Sequence, residues 1–205
     1  MQTLLKIQTS LFSDAGQSSQ LADRLTAQWL SAHPHGRVVT RDLSREPVPH
    51  LTAERFQAFL TKPEERTPEQ REVVQFSDTL IQELRDADVI VLTAPMYNFS
   101  IPSTLRAYFD HIARSGVTFR YTANGPEGLI KGKKIYVVST RGGFYEATND
   151  TQTAYLRQFL SFIGLSDVEF IYAEGLSLGA ESVEKNLSTA RHTIAKLLPA
   201  QTLAA

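Results

Sequence analysis

The apolar positions of this chain follow two alternating rhythms. Short runs rich in β-branched residues read as strands at Leu4–Thr9, Arg37–Asp42, Asp88–Thr93, Lys134–Ser139 and Glu169–Ala173. The third and fourth, DVIVLT and KIYVVS, are almost continuously apolar, as strands are when a parallel sheet is covered by helices on both faces. The stretches between them carry helical spacing instead. Leu21, Leu25 and Trp29 line one face of Ser18–Ala32, and Val73, Phe76, Leu80 and Leu84 do the same in Glu72–Arg85. Ser103–Arg114, Thr151–Ile163 and Glu181–Leu198 complete the set, with Gly164 a natural stop after the fourth.

Strict alternation of strand and helix predicts an α/β, doubly wound fold with helices on both faces. Right-handed crossovers and five strands favour a parallel sheet in the order 2-1-3-4-5, within a single domain over residues 1–205. Two long connections interrupt the pattern. Ser44–Pro68 holds Pro47, Pro49, Pro63 and Pro68 around an expected helix at Thr52–Leu60, and Gly116–Lys133 holds Phe119, Tyr121 and a glycine-rich turn. Loops of that length in a compact domain usually carry function.

Composition narrows the chemistry. The absence of cysteine removes disulfides, thiolate metal sites and cysteine nucleophiles. A net charge of −1 fits neither nucleic acid nor a membrane surface as partner. The N-terminus lacks the pattern of a signal peptide and no apolar run reaches membrane-spanning length, so the cytoplasm is the expected location. No HExxH or carboxylate cluster accompanies His33, His35, His50, His111 or His192, and GxSxG is missing; neither a metal site nor a serine hydrolase is expected.

In an open parallel sheet, ligands bind beyond the carboxyl ends of the strands where the strand order reverses, which points to the loops after Thr9, Thr93 and Ser139. The first, from Ser10 through Gly16, Gln17 and Ser18, offers hydroxyls, a glycine and the free N–H groups of a helix start, a setting for a monophosphate. Neither a Walker loop nor GxGxxG is present, which argues against ATP or a dinucleotide as the main tenant. The second loop, Pro95, Met96, Tyr97, Asn98 and Phe99, gathers apolar and aromatic groups suited to covering something flat, such as an isoalloxazine ring. In the third, Ser139, Arg141, Gly142 and Gly143, the paired glycines allow close backbone approach and Arg141 could add positive field at a ring edge that gains charge on reduction. Each loop also has a plainer explanation, as a helix cap, a packed loop or a glycine turn; their convergence strengthens the ligand reading.

Residues 95–134 (PMYNFSIPSTLRAYFDHIARSGVTFRYTANGPEGLIKGKK), STRGG at 139–143 and YLRQFLSFIGLSDVEFIYAEG at 155–175 resemble the FMN-dependent NADH-azoreductase family. The resemblance implies a flavodoxin-like homodimer with one FMN per subunit near the interface. It also implies ping-pong turnover in which NADH or NADPH reduces FMN and a quinone or azo compound then enters the same pocket. Carried over, the phosphate site is Ser10, Gln17 and Ser18 with the backbone of Gly16. The ring site is Pro95 through Phe99 with Ser139, Gly142 and Gly143, while Phe119 and Tyr121 would wall the partner's pocket. Gly16 stands where some members have serine, and Phe144-Tyr145 replaces an Ile-His pair, so that Tyr145 would lie at the ring's polar edge. A true electron carrier of this fold would be strongly acidic, unlike this chain; a reductase that releases its flavin as product would lose it on gel filtration. On this reading, truncating Phe119 should weaken quinone binding yet spare FMN.

Overall fold

A computed structural model describes residues 1–145 and 150–197. In chain order the elements are β1 (Thr3–Gln8), α1 (Gln17–Ala32), β2 (Arg37–Asp42), α2 (Ala53–Leu60), α3 (Pro68–Asp86), β3 (Val89–Thr93), α4 (Ser103–Ile112), β4 (Phe119–Thr122), β5 (Gly125–Gly128), β6 (Lys134–Thr140), α5 (Thr151–Ile163), β7 (Asp167–Ala173) and α6 (Ala180–Leu197). Leu198, the expected end of the last helix, lies outside the described residues.

Five strands form one parallel sheet in the order β2-β1-β3-β6-β7. Leu4 of β1 pairs with Val38 on one side and Val89 on the other, and Val91 continues the ladder to Tyr136. Successive side chains point to opposite faces, and both faces are buried. Leu5, Ile7, Ile90, Leu92, Ile135 and Val137 pack with Leu80, Leu84, Leu105, Phe109, Leu156 and Leu160 of α3, α4 and α5. Leu4, Val91, Tyr136, Val138 and Ile171 pack with Leu21, Leu25, Trp29, Leu187 and Ile194 of α1 and α6.

The sheet has the shape expected from the sequence, but its numbering departs from 2-1-3-4-5. The segment 116–133, read as a loop, contains β4 and β5, which form a separate antiparallel hairpin. Asn124-Gly125 is the hairpin signal that reading passed over: Gly125 sits at φ +103°, open to glycine without steric cost. The hairpin docks on the end of α5. A Cβ on Gly128 would lie 2.0 Å from the Gly164 nitrogen, the Ile130 amide donates to the Ile163 carbonyl at 3.0 Å, and the Phe119 and Phe162 rings meet at 4.2 Å between centroids.

Local chemistry sets the helix ends. Thr67 accepts from the Gln70 amide while the Gln70 side chain returns a bond to the Thr67 amide, and Pro68 occupies the first turn; this capping box starts α3 four residues before the expected Glu72. Asp150 caps α5 by accepting from the Thr153 amide at 2.9 Å, and Gly164 ends it in the left-handed region at φ 103°.

A buried polar knot joins α3 to α4. The Ser77 hydroxyl donates to the His111 carbonyl at 2.6 Å, and Arg114 donates to Ser77 Oγ at 3.0 Å. The His111 ring is fully buried, gives its Nδ1 proton to the Ala107 carbonyl at 3.0 Å, and meets Phe59 and Phe76 edge-on; Nε2 has no polar partner. Burial pushes the His111 imidazole below its ordinary pKa, against the smaller opposing effect of the Ala107 bond. The folded state therefore takes up this proton less readily than the unfolded chain does near and below about pH 6.5, so this group's contribution to stability falls as pH falls. Urea unfolding between about pH 7 and 5 should show a loss of stability from this group as pH falls, and His111→Leu should flatten that slope.

Candidate active site

Because all strands of the five-stranded sheet are parallel, β1, β3, β6 and β7 release their chains at the same edge. The loops they release are stitched together. The Thr9 amide donates to Thr93 Oγ1 at 2.8 Å and Thr9 Oγ1 donates to the Thr93 carbonyl at 2.7 Å, joining the first two. The Met96 amide donates to the Thr140 carbonyl at 2.9 Å, joining the second to the third. The Leu176 and Ser177 amides donate to the Arg141 and Gly142 carbonyls at 3.0 Å each, joining the third to a fourth after β7. Between them lies a cavity of about 340 Å³.

One end of this cavity suits an anion. Gly16 occupies the cap position of α1 and no side chain caps that helix, so its first N–H groups and the positive end of its dipole face outward. Ser18, on the cavity wall, is 1% exposed and its hydroxyl has no hydrogen-bond partner. A buried hydroxyl without a partner costs about 1–3 kcal/mol, a cost that a bound oxyanion would remove. Ser10 and Gln17 complete this end. Gly16 is there for close packing: a Cβ would lie 2.1 Å from Ser10 Oγ. A serine at this position would therefore displace Ser10 rather than simply add a donor.

The other end is apolar. Pro95, Met96 and Tyr97 line it, and the Tyr97 phenol accepts from the Leu11 amide at 3.4 Å, bridging back to the first loop. Beyond Tyr97 the chain folds into a tight turn in which Tyr97 and Ser100 exchange amide–carbonyl bonds of 3.0 and 3.1 Å. Asn98 and Phe99 sit inside it at φ 51° and 65°, both left-handed. Asparagine tolerates this conformation, whereas for phenylalanine it costs roughly 1–2 kcal/mol. The Phe99 ring is 65% exposed and meets the half-buried Tyr145 ring edge-to-face at 6.0 Å.

The third loop supplies Thr140, Arg141 and Gly142, and the fourth Leu176 and Ser177. Neither Gly142 nor Gly143 takes a positive φ. They serve close approach: a Cβ on Gly142 would come within 2.7 Å of Ser177 Oγ, and one on Gly143 within 3.1 Å of the Tyr145 hydroxyl.

Several expected residues fall elsewhere. Asn98, Phe99, Ser139 and Gly143 flank the cavity without lining it. Ser139 is fully buried, and its hydroxyl donates to Gln152 Oε1 at 2.9 Å while accepting from Arg141 Nε at 3.2 Å. The Arg141 guanidinium pairs with Asp150 at 2.7 Å and Glu174 at 3.0 Å, so its charge is offset within the protein rather than directed at a ligand. Burial opposes ionisation of Asp150, but hydrogen bonds from Thr153 and Arg141, with the guanidinium's charge, hold its carboxyl below the usual range. Phe119 is 8% exposed and packs on Phe162 of its own chain, so truncating it opens a hole under the hairpin. Tyr121 is 74% exposed.

Phe12, Thr140, Leu176, Ser177 and Gln152 were not singled out from the sequence. Leu176 and Ser177 follow the last strand, and the same rule that picked the other loops would have picked theirs had the neighbour of β6 been counted. Gln152 carries no local signal. Among the described residues that line the cavity there is no histidine, lysine or carboxylate, and Arg141 is the one charged side chain. An end suited to an anion joined to an apolar end, at the β1/β3 switch point of an α/β fold, is a setting that a phosphorylated planar ligand would fit.

A family model for the flavodoxin-like fold matches residues 2–198. Over 95% of its length the chain is 53% identical to an FMN-dependent NADH:quinone oxidoreductase of Cellvibrio japonicus, covering 97% of that protein. Over the same share it is 54% identical to FMN-dependent NADH:quinone oxidoreductase 6 of Burkholderia lata, covering 99% of it. The crystal structure of an azoreductase from Bacillus anthracis superposes with a TM-score of 0.88 at 27% identity, over 97% of this chain and 99% of that one. The chain belongs to the flavodoxin-like family, in the group of the FMN-dependent NADH:quinone oxidoreductases.

Two substitutions separate binding from folding at this site. Ser18→Ala removes an unpartnered hydroxyl and should leave the unliganded protein as stable or more so; Gly16→Ala should cost about 1–3 kcal/mol through the clash at Ser10. Chemical denaturation of both variants reads this directly, and destabilisation by Ser18→Ala would mean that the hydroxyl already has a structural partner.

Proposed function

We propose that this protein is an FMN-dependent NADH:quinone oxidoreductase that also reduces azo compounds, working as a homodimer by ping-pong, two-electron transfer. The observation that carries the reading is the partnerless, buried Ser18 hydroxyl at an uncapped helix start, in the same cavity as the apolar Pro95–Tyr97 wall. These residues fit FMN: Ser10, Gln17 and Ser18 with the amide of Gly16 would hold its phosphate, and Pro95, Met96, Tyr97 and Gly142 its ring. When bound, FMN supplies a two-electron carrier that takes hydride from NADH and passes it to the oxidant.

The chain's own contribution is binding and orientation. Met96 and Tyr97 exclude water from the slot, while the exposed ring of Phe99 and its neighbour Tyr145 border the mouth where flat substrates would stack. One cavity serves reductant and oxidant in turn, which is the basis for ping-pong kinetics. Protons for the oxidant come from water, with Tyr145 and Tyr121 as the phenols within the proposed assembly. Leu11, Phe12, Phe99, Phe144 and Leu178, each more than half exposed, favour a partner subunit over open solvent at this end. NADPH is the alternative reductant. A cytoplasmic location agrees with the lack of cysteine; among the described residues no helix is long and apolar enough to cross a membrane.

The purified protein should be yellow, bleach on anaerobic addition of NADH and recover its colour with a quinone, with parallel lines in double-reciprocal plots. Ser18→Ala should lose about tenfold in FMN affinity, the worth of one charge-assisted hydrogen bond. Protein that stays colourless after FMN is supplied overturns the proposal.

A further inference from the structure

The strained turn at Asn98–Phe99 does not hold itself. Its only internal bonds are the pair between Tyr97 and Ser100, and it presents a bulky residue in a conformation that such residues avoid. The first two residues of α5 reach across to it. Gln152 Nε2 donates towards the carbonyls of Ala94 and Pro95, both at 3.3 Å, on the entry side, and of Ser100 at 3.2 Å on the exit side. Thr151 Oγ1 donates to the Phe99 carbonyl at 3.0 Å, inside the turn. Both flanks and the middle of the ring-side loop are thus held by consecutive residues of a single helix start.

That helix start is itself fixed. Gln152 is 1% exposed, and its Oε1 accepts from Ser139, which Arg141 orients in turn. Arg141 is anchored to Asp150, Glu174 and Thr153. The amide can satisfy both sides only in one orientation, oxygen towards Ser139 and nitrogen towards the loop. No other side-chain type of this length offers an acceptor on one branch and two hydrogens on the other without charge. Buried at the crossing of β6, α5 and the loop, Gln152 does not line the cavity.

We propose that Gln152 is a positioning residue: it sets the Pro95–Phe99 loop in its strained form and thereby the shape of the slot for a planar ring. The proposal rests on the FMN reading above. The test uses the stripped wild-type protein and two variants, Gln152→Met, which keeps the volume and loses every bond, and Gln152→Glu, which keeps only the acceptor unless protonated. FMN and lumiflavin, which lacks the ribityl phosphate, are titrated by flavin fluorescence, with melting of each unliganded protein in parallel.

The expected result for Gln152→Met is a loss of about tenfold or more for both flavins alike, with a shifted visible spectrum of bound FMN, because the defect lies at the ring. For Gln152→Glu the loss should be smaller at low pH, where a protonated carboxyl again donates to the loop. Wild-type affinity and spectrum in both variants overturn the proposal, as does a loss confined to FMN, which would place the defect at the phosphate end. If Gln152→Met does not fold, the pH dependence of Gln152→Glu decides alone, a pH-independent affinity counting against the proposal. A wild-type protein that binds neither flavin is the failure of the FMN reading instead.

Discussion

Parallel pairing of the central strands is the constraint on which the rest of this structure depends. An antiparallel sheet would send alternate loops to opposite ends; here β1, β3, β6 and β7 all deliver their following loops to one edge. Parallel strands need covered crossovers, which bury both faces and account for the nearly continuous apolar runs. The switch in direction of winding between β1 and β3 leaves a cleft that no helix fills, and reciprocal bonds between Thr9 and Thr93 tie its two walls together at the base.

In and beside that cleft the protein tolerates local costs: a buried hydroxyl without a partner at Ser18, a left-handed phenylalanine at position 99, and glycines at 16 and 142 where a Cβ would collide. Each would lower stability in isolation. They persist because the surroundings over-determine them, through the capped start of α5, the Arg141–Asp150–Glu174 ion group and the loop-to-loop amide bonds. Strain and unmet hydrogen-bonding capacity gathered in one place mark a surface shaped for something other than itself.

The walls of the cleft offer shape, hydrogen bonds and a helix dipole, with no histidine, lysine or carboxylate among the described lining residues. Such a site orients a reactive group that arrives from outside. Flavin chemistry suits this division, because hydride transfer asks for stacking and distance more than for a side-chain acid. The membership of the chain among FMN-dependent NADH:quinone oxidoreductases agrees with that division of labour.

The sheet, its helices and three of the loops that line the cavity were legible in the one-dimensional pattern, because hydrophobic periodicity is local and parallel topology leaves few choices. Even the hairpin at 119–128 was written there, in Asn124-Gly125, though the glycine-rich stretch was read as a loop. What no local pattern carries is which long-range partner a side chain finds. Arg141 reads as a free cation beside a ligand, yet folding brings Asp150 and Glu174 to it. Phe119 reads as one of two aromatics in a long connection, and only folding sets it against Phe162. Gln152 is one polar residue in a helical run, and only the crossing of α5 over β6 sets its amide against three carbonyls more than fifty residues away. The sequence by itself determined where the chain could bind a ligand, since backbone periodicity and turn chemistry are short-range. Tertiary structure alone decided which side chains line that cavity and which hold it in shape, since those choices depend on contacts made only once distant segments pack.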